Sequence, residues 1–160
     1  MRSQRGFSLI ELLIVVTIIL ILASIAIPSL LRSRISANEA SAVSTLRSIN
    51  TAQTTYATAY PDVGYSDSLF KLSLPAPSQT PSSTAAGLVD WVLGCSSQPC
   101  QKSGYAFAIG NTSGTPVIIY RVTGVPAVPG QTGYRGFCTD QTFNVTVDAA
   151  GGSSCTMDLQ

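Results

Sequence analysis

The sequence predicts an α+β fold: a long N-terminal α-helix, its hydrophobic half protruding, packed on a C-terminal antiparallel β-sheet. Three observations predict it. An apolar run extends from Phe7 to Ile27. A heptad-like stripe of larger side chains continues over Ile35–Tyr60. Beyond residue 101, short β-branched and aromatic runs alternate with turns rich in Gly and Pro. The expected layout is an apolar helix over 7–28 and a globular part over 29–160. The latter divides into a helix over 29–59, a loop region over 61–101 and a sheet over 102–160.

Composition limits the function classes. The chain has 160 residues, a length that suits one domain with an appendage. Apolar residues make up 45%, but much of that share lies in the first 31 positions, so the soluble core is modest. Formal net charge is +1 and no block of Lys and Arg is present, which argues against a nucleic-acid surface. Losing Arg2 and Arg5 would take that charge from +1 to −1. There is no histidine, which removes Ser-His-Asp and Cys-His catalysis and the usual His-containing zinc sites.

The first element is the apolar run. At roughly 1.5 Å per residue, Phe7–Ile27 reaches roughly 32 Å as a helix, about one hydrocarbon thickness. Every side chain in it is apolar or small except Glu11. Arg2 and Arg5 precede it, so the positive-inside rule keeps the N-terminus cytoplasmic and puts everything after Pro28 outside. Three readings compete. A secretory signal has a small-residue cleavage site, and Ser24-Ile25-Ala26 is similar to one, but this apolar run is longer than a usual signal core. A plain single-span anchor leaves Glu11 unexplained. A segment that leaves the membrane to pack against copies of itself accounts for the acid.

Arg5-Gly6-Phe7-Ser8-Leu9-Ile10-Glu11-Leu12-Leu13 resembles the class III signal of type IV prepilins and pseudopilins. A short basic leader ending in Gly6, the aromatic Phe7, Glu11 four residues on, a long apolar helix and Pro28 occur together at fixed spacing. The resemblance is tight over about the first 28 residues and extends beyond them only in layout. It implies that residues 1–6 are a leader, cut between Gly6 and Phe7 on the cytoplasmic side by a membrane prepilin peptidase that also N-methylates Phe7. It implies a single-span protein of the inner membrane that becomes an extracellular pilus, a helical homopolymer. Its partners would be copies of itself, the peptidase, an inner-membrane assembly platform and membrane lipid, with no nucleic acid. Glu11 would face the Phe7 amine of a neighbouring subunit. A type II secretion pseudopilin is the alternative within the resemblance, because its N-terminal region looks the same.

Elementary electrostatics supports that role for Glu11. A lone carboxylate in low dielectric is costly and becomes neutral or finds a cation. The cation newly created by cleavage is the α-amino group of Phe7. Reached between staggered helices, it makes assembly relieve a penalty and fixes axial register.

Pro28 lacks an N–H and weakens the helix around it. The following sequence favours continuation: Ile35, Ala42, Leu46, Ile49, Gln53, Tyr56 and Tyr60 share one helical face, interrupted by Gln53. Tyr60-Pro61 halts the helix, because the residue before proline resists helical geometry. Within 61–101, SLPAPSQTPSSTAAG reads as an exposed loop, and Leu88–Leu93 as an apolar patch packing Trp91 on the core. Expected strands are Tyr105–Ile109, followed by a turn at Gly110-Asn111, then Val117–Val122, Phe137–Thr139 and Phe143–Val147. A connecting loop is expected at VPAVPGQTGYRG.

Four cysteines, Cys95, Cys100, Cys138 and Cys155, lie beyond the apolar segment and read as disulfides of an oxidising compartment. Three pairings are open. Local pairing, Cys95–Cys100 with Cys138–Cys155, is favoured because each pair brackets a turn-rich stretch. Closing the longer loop contributes about 3 kcal/mol in the chain-entropy model. A zinc site lacks the close C-x2-C spacing. Asp140, Asp148 and Asp158 lie near the C-terminus, where secretion pseudopilins often bind calcium. Without EF-hand-like spacing they read as acids decorating turns, so no metal and no cofactor is assigned. The soluble part offers no nucleophile motif or phosphate loop, so the expected role is structural and not enzymatic. The competing class, a membrane-anchored enzyme or binding domain with an ordinary signal, is separated by mass. A mature chain starting at methylated Phe7 supports the filament reading, and one starting at Ile27 the secretory reading.

The processing expectation is tested by Gly6→Val, which crowds the cleavage site. Uncut chain should accumulate in membranes on immunoblots, and normal processing would contradict the expectation.

Overall fold

A 51-residue helix, α1 (Leu9–Ala59), runs through Pro28 without a break. The structure is a computed structural model, and it describes residues 7–159. Gly6, Arg2 and Arg5, on which the processing and topology expectations rest, lie outside the described residues. The chain divides into two compact units, Met1–Arg34 and Ile35–Gln160.

In the first unit, every Phe, Leu, Ile and Val from Phe7 to Leu31 is exposed. A helix that is apolar all round is a helix for an apolar surrounding. By length and composition it is able to cross a membrane.

The second unit begins with the rest of α1. Ile35, Ala42, Leu46, Ile49, Gln53 and Tyr56 are buried along one face, as the stripe predicts, and Tyr60 packs against the same cluster half-buried. They meet a six-stranded antiparallel sheet whose strands follow chain order: β1 (Cys100–Lys102), β2 (Tyr105–Ser113), β3 (Ile119–Pro126), β4 (Gly136–Asp140), β5 (Val145–Asp148) and β6 (Met157–Asp158). Register gathers the inward set. Phe107 pairs with Gly124 and Ile109 with Val122, while Phe137 and Thr139 of β4 oppose Gly124 and Val122 from the other side. Val147 and Val145 extend the same face. Gly124 is required there, since a Cβ would lie 2.8 Å from the Phe107 ring. Each large side chain buried in this layer stabilises by about 1.5–3 kcal/mol.

Gln53 interrupts the stripe in sequence but not in structure. Its Nε2 donates to the Ser66 carbonyl at 2.9 Å, and its Oε1 accepts from the Ser66 N–H at 2.7 Å. Asn50 likewise donates to Thr139 Oγ1 at 2.6 Å and accepts from the Tyr120 hydroxyl at 3.0 Å. A buried amide with both ends paired is tolerated in a core and fixes which segment lies over which turn.

Several boundaries differ from expectation. The region 61–101 contains a single-turn helix, α2 (Leu69–Leu72), capped by the Ser68 side chain on the Phe70 N–H, and β1 begins inside it at Cys100. Trp91 is not packed on the core: it is 56% exposed, and Val89 and Leu93 are buried in its place. The turn expected at Gly110-Asn111 is an irregularity in β2, which continues to Ser113. β3 starts at Ile119 and runs through Val125-Pro126 into the expected loop. β4 and β5 appear near their expected positions, with β5 starting at Val145 rather than Phe143. β1 and β6 lie outside the expected strands. β1 joins β2 through Ser103-Gly104, both at positive φ, the geometry of a two-residue type I′ hairpin.

Gln53→Ala should leave the Ser66 backbone N–H and carbonyl without their partners. A loss of about 1–3 kcal/mol is expected, read as a lower urea midpoint of the full chain in detergent.

Candidate functional site

Phe7 and Ser8 precede α1, and the Ser8 carbonyl accepts from Glu11 N–H at 3.1 Å and Leu12 N–H at 3.2 Å to start the first turn. Glu11 lies in that turn, exposed, where the unpaired N–H groups of the helix favour an acid. Among the described residues it has no cationic partner. In the uncut chain the Phe7 nitrogen is an amide, so a cation one turn before Glu11 arises only when the preceding peptide bond is cut.

Two other polar side chains of the apolar run, Thr17 and Ser24, are satisfied within the helix. Thr17 Oγ1 donates to the Leu13 carbonyl and Ser24 Oγ to the Ile21 carbonyl, each at 2.8 Å. A hydroxyl bonded back to its own helix adds no unpaired donor to an apolar surface. Glu11 is therefore the one charged group between Phe7 and Leu31. Pro28, expected to loosen the helix, sits inside it between exposed neighbours.

The second unit holds an acid that the stripe did not include. Ile35 and Ala42 are seven apart, and Glu39 fills that gap at the 4-3 spacing of the other positions. It is buried, and its carboxylate makes four hydrogen bonds. Oε1 accepts from the backbone N–H of Tyr134 (3.0 Å) and of Arg135 (3.2 Å), and Oε2 from Arg135 Nε (3.0 Å) and Nη2 (2.7 Å). Next to it, Asn38 Nδ2 donates to the Thr132 carbonyl at 2.9 Å. The two side chains clamp the β3–β4 loop to α1. The Arg135 guanidinium also lies 5.5 Å over the Phe137 ring. The missed signal was the gap itself: an acid at a core position of a regular stripe calls for a partner from elsewhere in the fold.

Burial alone would raise the pKa of Glu39. The Arg135 side-chain bonds, then the two backbone N–H bonds and the Arg135 charge, outweigh it and hold the carboxyl below its ordinary range. Asp90 is held low by its hydrogen bond to Lys102, 2.7 Å away, against a smaller opposing effect of burial, with further help from the Leu93 N–H. Tyr105 and Tyr120 are both pushed up, first by burial; Glu39 adds to the rise for Tyr105, and Tyr65 and then Asp140 for Tyr120. Tyr105 donates its hydroxyl to the Arg135 carbonyl at 2.8 Å, adding to the same clamp.

Cys95 is bonded to Cys100, and Cys138 to Cys155. The second bond ties the chain after β5 to β4, and Arg121 Nη2 donates to the Cys155 carbonyl at 3.3 Å beside it. Asp140 accepts from Thr142 N–H and Oγ1, and Asp148 from Ala150 and Ser154 N–H. Both acids are thus engaged in turns. Among the described residues no three His, Cys, Asp or Glu side chains are grouped to hold a metal.

Comparison with known proteins gives two partial matches. Residues 1–27 match the family model described as the prokaryotic N-terminal methylation motif. Over 39 residues the chain is 59% identical to the type IV wide pilus major component PilA4 of Thermus thermophilus. That match covers 24% of this chain and 30% of the relative. No solved structure matches the chain. Both matches are partial, and each concerns a feature of type IV pilus proteins or their precursors: the methylation motif in one case, a pilus component in the other.

The Glu39 clamp has a pH signature. A carboxyl whose folded pKa is depressed contributes stability above its ordinary value near 4.5 and loses it as pH falls through the folded value. Glu39→Gln should lower the free energy of unfolding at pH 7 by about 1–2 kcal/mol, a figure reduced because Arg135 is half exposed. The difference between wild type and variant should shrink as pH falls below 4.5 in paired denaturant titrations, while a constant difference would contradict the assignment.

Proposed function

We propose that this chain is a structural subunit of a type IV pilus, made as a membrane-resident precursor and assembled by helix packing. The observation that carries the proposal is the first unit: a helix exposed and apolar on every side, with one acid a turn beyond Phe7, inside an N-terminal methylation motif. Cleavage between Gly6 and Phe7 removes the basic leader and creates the α-amino group of Phe7, which is then methylated. The chain waits in the inner membrane as a single span with its N-terminus cytoplasmic. It is then handed to an assembly platform and exported into an extracellular homopolymer. Its role is structural, and the peptidase supplies the covalent chemistry.

Assembly pairs Glu11 with the Phe7 amine of a neighbour. Near a helix end the acid costs less than the roughly 2.5–3.5 kcal/mol of a charge at mid-bilayer, but it costs something in every isolated subunit. Pairing with a sister terminus removes that cost and selects one axial offset between helices, since a slip of one turn would leave both charges unpaired. Pro28, without an N–H to donate, leaves a weaker turn at which α1 can extend under load. The two disulfides, covalent links that do not peel as a hydrogen-bond ladder does, hold the globular unit under the same load. The pilus component among the relatives favours a pilin over a secretion pseudopilin.

Glu11→Ala should insert and be processed normally. The yield of sheared fibres should fall about tenfold or more, the effect of losing about 1.4 kcal/mol per contact. Fibres at the wild-type yield, identified by mass spectrometry and counted by electron microscopy, would end the register role.

A further inference from the structure

We infer that Arg32 and Arg34 form a phosphate-binding collar around α1, one that takes up lipid headgroup phosphates at the end of the apolar run remote from Glu11. The collar presupposes the membrane-resident subunit proposed above.

Spacing comes first. No charged residue lies between Glu11 and Arg32. As helix, that interval is roughly 32 Å, about the thickness of the hydrocarbon layer. When Glu11 sits at one boundary, Arg32 and Arg34 reach the headgroups of the opposite leaflet. The positive-inside rule disfavours basic residues on that side, so two of them in three positions need a reason.

Azimuth is the second observation. Residues two apart on an α-helix point about 200° away from each other. Arg32 and Arg34 therefore leave opposite sides of α1, and both are exposed. A protein partner docked on one side would take one of them. A plane of phosphates surrounds the helix and takes both.

Availability is the third. Among the described residues neither arginine has a carboxylate or carbonyl partner, whereas Arg135 is bound to Glu39 and Arg121 to the Cys155 carbonyl. A second copy of the chain has few acids to offer them. Of its eight acids, Glu39, Asp67 and Asp90 are already in ion pairs and Asp140 and Asp148 accept turn hydrogen bonds, which leaves Glu11, Asp62 and Asp158. The guanidinium fork fits phosphate oxygens two at a time, and its long stem runs along the helix while the head reaches the interface.

The test uses the full chain, carbon-13 labelled at the arginine guanidinium carbon, in bilayers of phosphatidylethanolamine and phosphatidylglycerol in phosphate-free buffer. Solid-state carbon–phosphorus dephasing reports guanidinium carbons within about 5 Å of a lipid phosphorus, the separation of a hydrogen-bonded pair. Wild type should dephase, and the double variant Arg32→Gln, Arg34→Gln should lose part of the signal while still resisting an alkaline carbonate wash. Equal dephasing in two membrane-integral samples overturns the collar, as does an absence of dephasing in wild type. Release of the wild type by the wash overturns the membrane-resident reading itself, and the collar with it. If the double variant alone is released, the single variants decide in its place: each should lower the dephasing, and unchanged signal in both overturns the collar.

Discussion

The burial of one face of α1, from Ile35 to Tyr56, is the constraint on which the second unit depends. The buried positions Ile35, Glu39, Ala42, Leu46, Ile49, Gln53 and Tyr56 follow a 4-3 spacing, which keeps them close to one line along the helix. The sheet presents a matching surface of Phe107, Tyr120, Val122, Phe137 and Val147. Apolar contact gives most of the stabilisation but little directional information. Direction comes from the polar members of the line. Glu39 accepts from the β3–β4 loop, Asn50 links to β3 and β4, and Gln53 closes on Ser66. Each must be fully paired, because an unpaired polar group in that layer costs more than its bond contributes. The helix can therefore meet the sheet in one register and not slide to the next turn.

The first unit answers to the opposite condition. Among the described residues its large apolar side chains from Phe7 to Leu31 are all exposed. Their cover has to come from lipid or from other helices. Leucine and isoleucine fit either environment about equally, so exchange between them is nearly neutral in hydrophobic terms. What distinguishes the two environments is charge. An acid at one end and arginines at the other are accommodated by different groups in a bilayer and in a bundle of helices. Control over where such a subunit resides therefore lies with a few ionic groups and not with the bulk of the surface.

The sequence reading and the structure diverge where side-chain pattern and backbone pairing carry different information. Trp91 is the most hydrophobic-looking member of its patch by size, yet Val89 and Leu93 fill the space against α2. Gly110-Asn111 has turn composition, but an irregular register absorbs it inside β2. β1 and β6 contain three and two residues, too few for an alternation to be read, and they exist because β2 and β5 offer them free edges. Glu39 lies outside the expected stripe because an acid is normally a surface residue. Its four donors come from residues about 95 positions away, and no local pattern announces them.

By itself the sequence determined what depends on neighbours along the chain. The apolar run, the helix continuing through Pro28 to Ala59, the α+β class and the place of Glu11 one turn after Phe7 are set by composition, by the 3.6-residue period and by the stop at Tyr60-Pro61. Local pairing of the cysteines was favoured on the same kind of evidence, but two other pairings remained until the fold brought Cys138 and Cys155 together. Only the tertiary structure decided which polar groups are partnered in the core, which residues of the 61–101 region are buried, and how the loop before β4 is clamped to α1. The physical reason is distance. Helix periodicity and turn chemistry act over a few residues, whereas a buried ion pair or an edge-strand register is fixed by groups that meet only after the chain has folded.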